Sequence, residues 1–157
     1  METNVKYEEV AAQVAEACAR AGRAAGEVAV VAVSKTVGTD EVSCAIKQGA
    51  RNFGENRPDQ LMLKADQFTD ATWHFIGNIQ SRRIRDIVGR ATLIHSLFEE
   101  RHARKIDEVA REHGIVQDVL LEVNVRARKA NRAWRPPTCA HLPNAVPPCR
   151  TCGCAVL

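Results

Sequence analysis

The chain has 157 residues, 45% of them hydrophobic and 26% charged, with a formal net charge of +3. That charge is no argument for a nucleic-acid surface, because residues 1–125 carry 16 Lys and Arg against 19 Asp and Glu, whereas Arg126 to Leu157 carries six basic residues and no acid. No stretch approaches the length of a membrane span, and Met1 to Lys6 lacks the basic start and apolar core of a signal peptide, so a cytoplasmic protein with no membrane segment is expected.

In chain order, Val10, Val14, Cys18 and Ala21 recur at helical spacing, with Gly22 or Gly26 available to end that first helix. Cys18 and Cys44 fall on apolar helix faces and are expected to pack there as small hydrophobes. Val28 to Val33 is a continuous apolar run and predicts a strand buried on both faces. A helix follows over Asp40 to Gln48, with Thr39 as N-cap and Gly49 after it. Ala50 to Phe53 predicts the second strand. Pro58 suits the first turn of a helix reaching Phe68, and Trp73 to Ile76 is the next apolar strand. Arg82 to Val88 (helix), Ala91 to His95 (strand), Phe98 to His113 (helix, closed by Gly114) and Val119 to Val125 (strand) complete the series. Five strands with four intervening helices and short loops imply parallel strands, in either an open doubly wound sheet or a (β/α) barrel.

The polar residues favour an α/β fold of the barrel type. They gather just after the strands, at Ser34-Lys35-Thr36, Gly54-Glu55-Asn56, Gly77-Asn78, His95-Ser96 and Asn124, with His74 inside its strand. In a barrel those positions meet on one face. No glycine-rich dinucleotide fingerprint or Walker motif follows any strand. Lys35 is the sharpest of these signals. An ammonium at the end of an apolar strand either escapes to solvent as a loop lysine or has chemistry to do, and a lysine of lowered pKa can form a Schiff base with an aldehyde such as pyridoxal phosphate. The others have plain structural alternatives, since His74 or His95 can be a hydrogen-bonded structural histidine and Asn56 a turn former.

Val31-Ala32-Val33-Ser34-Lys35-Thr36, Asn52-Phe53-Gly54-Glu55-Asn56, Trp73-His74-Phe75-Ile76-Gly77-Asn78-Ile79-Gln80, Ile94-His95-Ser96 and Leu121-Glu122-Val123-Asn124-Val125 together resemble the successive strand motifs of the pyridoxal phosphate homeostasis proteins. These are also described as the YggS or PROSC family, relatives of the alanine racemase N-terminal barrel. The resemblance implies an incomplete TIM-type barrel of about five parallel strands over residues 1–125, behind an N-terminal helix. It implies pyridoxal phosphate as cofactor, held as a Schiff base on Lys35. Asn56, His74, Gly77, Asn78, His95 and Ser96 would line the pocket, and pyridoxal phosphate-dependent apoenzymes would be the recipients. A non-enzymatic carrier of intracellular cofactor homeostasis is the favoured reading. The alternative is an amino-acid racemase or decarboxylase of the same barrel class, which needs a second base opposite Lys35, and Tyr7 is the only tyrosine.

The resemblance stops at Val125. The family continues with a Ser-Gly-Glu-x-x-Lys-x-Gly loop, and back-translating Arg126 to Trp134 with a one-nucleotide shift permits Ser-Gly-Glu-Glu-Ser-Lys-Ser-Gly-Met. Residues 126–157, rich in Pro, Arg and Cys, are therefore read as an out-of-frame, irregular and disordered tail. A zinc site on Cys139, His141, Cys149, Cys152 and Cys154 is the competing reading, weakened by the lack of two well-spaced Cys pairs, and no metal is expected. The family's phosphate-holding groups and the Arg facing the pyridine nitrogen belong to later strands, so cofactor binding is expected to be impaired. An incomplete barrel should also leave interior side chains such as Val31, Phe75 and Leu121 without an opposing layer. The Val28 and Val119 strands would become open edges that favour self-association.

Overall fold

A computed structural model describes residues 6–122 of the chain. The expected end of the last strand at Val123 to Val125, Asn124, the tail over 126–157 and its zinc alternative lie outside the described residues. Five helices, α1 (Tyr7–Arg20), α2 (Thr39–Lys47), α3 (Pro58–Gln67), α4 (Ile84–Ile87) and α5 (Glu100–Glu112), surround five strands. The strands are β1 (Val31–Val33), β2 (Asn52–Glu55), β3 (Thr72–Phe75), β4 (Leu93–Leu97) and β5 (Asp118–Leu121). They form one sheet in the order β1-β2-β3-β4-β5, every neighbouring pair parallel. Sequential order is the pattern of a β/α barrel wall, because a doubly wound sheet reverses direction at a switch point.

The helix boundaries follow local chemistry. Pro58 opens α3, where its missing N–H is no loss. Thr39, expected as the cap of α2, is instead its first helical residue: Gly38 precedes the helix and the Glu41 carboxylate accepts the Gly38 N–H at 3.0 Å. Gly49 and Gly114, at φ of +93° and +66°, follow α2 and α5 in the left-handed region that glycine tolerates best. The Gln48 side chain accepts the Tyr7 N–H at 3.1 Å and ties the start of α1 to the end of α2. Cys18 is buried, as expected, whereas Cys44 is only half-buried. No helix among the described residues is long and apolar enough to cross a membrane.

Alternation along the strands divides the sheet into two faces. Phe53, Trp73, Phe75 and Ile94 join Val42, Leu61, Ile84, Ile87, Ile106 and Val109 in the core between sheet and helices. The Phe53 and Trp73 ring centroids lie 5.3 Å apart there. Val31, Asn52, Gly54 and His74 have the opposite parity. Two expectations are corrected here. Phe75, expected in the barrel interior, is fully buried on the helix side, and Leu121 shares the parity of Val119, which packs against the same core. The first strand is three residues rather than six, and its Val33 is 52% exposed. With Val31 and Ala32 only partly buried and Val33 exposed, the apolar run is not enclosed on both faces.

Because Phe75 has no accessible surface, Phe75→Ala is expected to lower unfolding stability by about 3–5 kcal/mol, measured as a shift in urea midpoint with an unchanged denaturant slope.

Candidate functional site

The loop after β1 carries Lys35 and is held from below by a buried ion pair. Glu55, the last residue of β2, has no exposed surface, and Lys64, on α3, is 1% exposed. The Lys64 ammonium donates to Glu55 Oε1 at 2.6 Å and to the carbonyls of Ser34 and Val37, each at 2.8 Å. The Ser34 hydroxyl donates to the same Glu55 oxygen at 2.7 Å. All three Lys64 donors are thereby satisfied, as a buried ammonium requires. Glu55 Oε2 is buried without a hydrogen-bond partner among the described residues.

A second clasp joins the loops after β2 and β3 to β4, within which His95 and Ser96 lie rather than after it as expected. A Cβ added to Gly77 would fall 2.0 Å from the Asn56 carbonyl oxygen, so the two backbones approach as only glycine allows. The Gly77 carbonyl in turn accepts the Ser96 hydroxyl at 2.5 Å.

On the sheet face opposite the helices, the Asn52, His74 and His95 side chains form a row across β2, β3 and β4. His74 Nε2 lies 3.4 Å from Asn52 Oδ1, and His74 Nδ1 lies 3.0 Å from His95 Nε2. With both rings neutral and the Asn52 oxygen accepting from His74 Nε2–H, His95 Nε2–H donates to the unprotonated His74 Nδ1. Desolvation holds both imidazoles below the usual histidine range, and His74 is lowered further by His95.

The structure brings the sequence-derived residues into these groups unevenly. Gly77 and Ser96 are buried in the second clasp; His74 is buried and His95 half-buried in the imidazole row. Asn56 and Asn78 are exposed on the loops after β2 and β3. Lys35 is exposed at the tip of its loop and makes no hydrogen bond or ion pair to another described residue. Lys64 was not singled out in the sequence. Its signal was present in the spacing of Leu61, Lys64, Ala65 and Phe68, where one lysine interrupts an apolar helix stripe.

Two outcomes follow. Gly77→Ala must push the Asn56 backbone away and is expected to cost about 1–3 kcal/mol of stability, read by chemical denaturation. Because His74 and His95 resist protonation when folded, the unfolded chain binds more protons once pH drops below the ordinary value of 6.5. Stability is therefore fully present above that pH and falls as pH is lowered through it, by at most about 1.4 kcal/mol per pH unit for His74 and less for His95. Urea midpoints measured on either side of that pH check this, and His74→Asn should flatten the dependence.

Residues 5–130 match the family described as alanine racemase, N-terminal domain. The chain is 34% identical over 126 residues to the pyridoxal phosphate homeostasis protein of Aquifex aeolicus, an alignment covering 79% of this chain and 55% of the relative. It is 40% identical over 114 residues to the protein of the same name from Deinococcus radiodurans, covering 72% and 54%. Among solved structures, an unknown protein from Bifidobacterium adolescentis superposes with a TM-score of 0.75 at 31% identity, over 85% of this chain and 59% of that one. PipY from Synechococcus elongatus, solved with PLP bound, gives a TM-score of 0.66 at 30% identity, over 80% and 59%. The chain thus spans a little over half the length of these relatives. Matched over most of its length, and built as a run of parallel strands whose ends carry the polar loops, this chain belongs to the alanine racemase N-terminal domain family.

Proposed function

We propose that the chain binds pyridoxal phosphate covalently through Lys35 and acts in intracellular homeostasis of that cofactor, holding it for delivery to apoenzymes. The observation that carries this reading is the Lys35 amine itself, exposed and unpaired among the described residues on a loop whose two ends are tied down. The names of the curated relatives and the PLP-bound PipY structure support the choice of cofactor. When bound, the cofactor supplies an aldehyde carbon that condenses with an unprotonated primary amine and releases water. The residues fit that end of the molecule: Lys35 offers the amine, Asn56 and Asn78 offer amide groups on the neighbouring loops, and Gly77 and Ser96 hold those loops together. His74 and His95, kept toward the neutral state by desolvation, add flat surface and hydrogen-bonding capacity without a competing charge.

Carrier rather than racemase is favoured by the placement of the sole tyrosine. Racemisation exchanges protons on both faces of a carbanion and needs a base opposing Lys35. The sole tyrosine, Tyr7, packs against the helix-side core, away from the sheet face that bears the imidazole row. The free thiols of Cys18 and Cys44 accord with a cytoplasmic setting. Self-association belongs to the same proposal: β1 and β5 are the outer strands of the described sheet, and unpaired strand edges recruit other chains.

Pyridoxal phosphate should produce a new absorbance band that borohydride fixes on Lys35, and Lys35→Ala should remove that labelled peptide. Labelling spread evenly over Lys47, Lys105 and other surface lysines would overturn the assignment. Incubation with amino acids should leave their α-deuterium in place, whereas exchange would favour the racemase class. Size-exclusion chromatography with light scattering should show dimers or larger species dominating; a sharp monomer peak with cooperative thermal unfolding would show that the edges are protected.

A further inference from the structure

The Lys64–Glu55 pair is not required by anything said so far about cofactor binding, and it is an unusual way to fill a core. Two charges withdrawn from water recover their desolvation cost only where the geometry is good and the remaining donors are satisfied, and an apolar pair of similar volume often serves stability as well or better. What distinguishes this pair is where its hydrogen bonds go. The two carbonyls that Lys64 holds belong to Ser34 and Val37, the residues on either side of Lys35 and Thr36. The carboxylate oxygen it binds also takes the Ser34 hydroxyl, and the Val37 N–H closes the turn onto the Ser34 carbonyl at 3.2 Å. One ammonium, anchored from α3, therefore grips both ends of a four-residue loop, and only Lys35 and Thr36 are left to project.

We propose that Lys64 is a positioning residue, which holds the Ser34–Val37 loop in the conformation that presents the Lys35 amine to an aldehyde. The proposal rests on the Lys35 reading given above. A methionine in place of Lys64 would fill similar volume but donate nothing, so a space-filling role and a positioning role separate cleanly. Removing Lys64 alone would strand the Glu55 charge in the core, so the informative variant is the pair Glu55→Gln with Lys64→Met, which leaves no buried charge.

Two readouts are taken on the folded double variant. The first is the rate of borohydride-trapped labelling of Lys35 by pyridoxal phosphate, with Lys47 and Lys105 as internal references. The second is amide hydrogen exchange at Val37. Loss of Val37 protection together with slowing of Lys35 labelling by about tenfold or more is expected, since small displacements of a reacting group carry large rate penalties, while the reference lysines keep their rates. Wild-type labelling of Lys35 in the folded double variant would overturn the proposal, as would unchanged Val37 protection. If the intact chain shows no preference for Lys35 over the reference lysines, the cofactor assignment fails, and Val37 exchange alone then decides whether Lys64 holds the loop. Should the double variant not fold, Glu55→Met with Lys64→Met, an apolar pair of similar volume that also removes every Lys64 donor, is read the same way: slower labelling with faster Val37 exchange supports the clamp, and wild-type values of both refute it.

Discussion

A buried ammonium must be surrounded by acceptors, and at Lys64 those acceptors are what organise the rim of the sheet. Its partners come from the end of β2 and from both sides of the loop after β1. Satisfying one charge therefore fixes three segments relative to one another. The residue after Glu55 is Asn56, whose backbone lies against Gly77, and the Gly77 carbonyl receives the Ser96 hydroxyl. The two clasps thus meet at consecutive residues, and the loops after three successive strands, together with the end of β4, form one connected chain of contacts. A loop tip such as Lys35 can be exposed and still be well placed, because the order resides in the groups beneath it.

The sheet presents two chemically different faces. On one side, aromatic and aliphatic side chains interdigitate with the helices and exclude water. On the other, Asn52, His74 and His95 lie side by side across three strands, and a Cβ added at Gly54 would sit 3.3 Å from both the Val31 and Ile76 side chains. Parallel strands joined by crossovers of one hand place all their helices on one face, so the opposite face is lined by strand side chains alone. The row starts at Asn52, the first residue of β2, and crosses His74 and His95 within β3 and β4, where desolvation keeps both rings toward the neutral state.

The same scaffold underlies both racemases and cofactor-holding proteins, so the fold by itself does not choose between them. The choice depends on which groups face the lysine amine. Here the described groups around the rim are amides, a hydroxyl already engaged with a carbonyl, the loop backbone and, on the adjoining sheet face, the His74 and His95 imidazoles.

Much of this was legible in the sequence. Periodicity and turn residues located all five strands and all five helices to within a few residues, and the clustering of polar residues after strands pointed to the barrel arrangement and to Lys35. These are local signals, carried by spacing along the chain. What they could not decide was which face each strand residue would take and what lay beneath the loops. Phe75 and Val31 are equivalent as apolar strand residues, yet a single-residue difference in parity puts one against the helices and leaves the other on the opposite face. The length and partial burial of β1 depended on what packs against its faces, which no run of valines reveals. Lys64 sits nine residues from Glu55 and about thirty from the loop it holds. The sequence determined that a lysine interrupts an apolar stripe; only the tertiary structure decided that the stripe packs under that loop, because burial of a charge selects its partners in space and not along the chain.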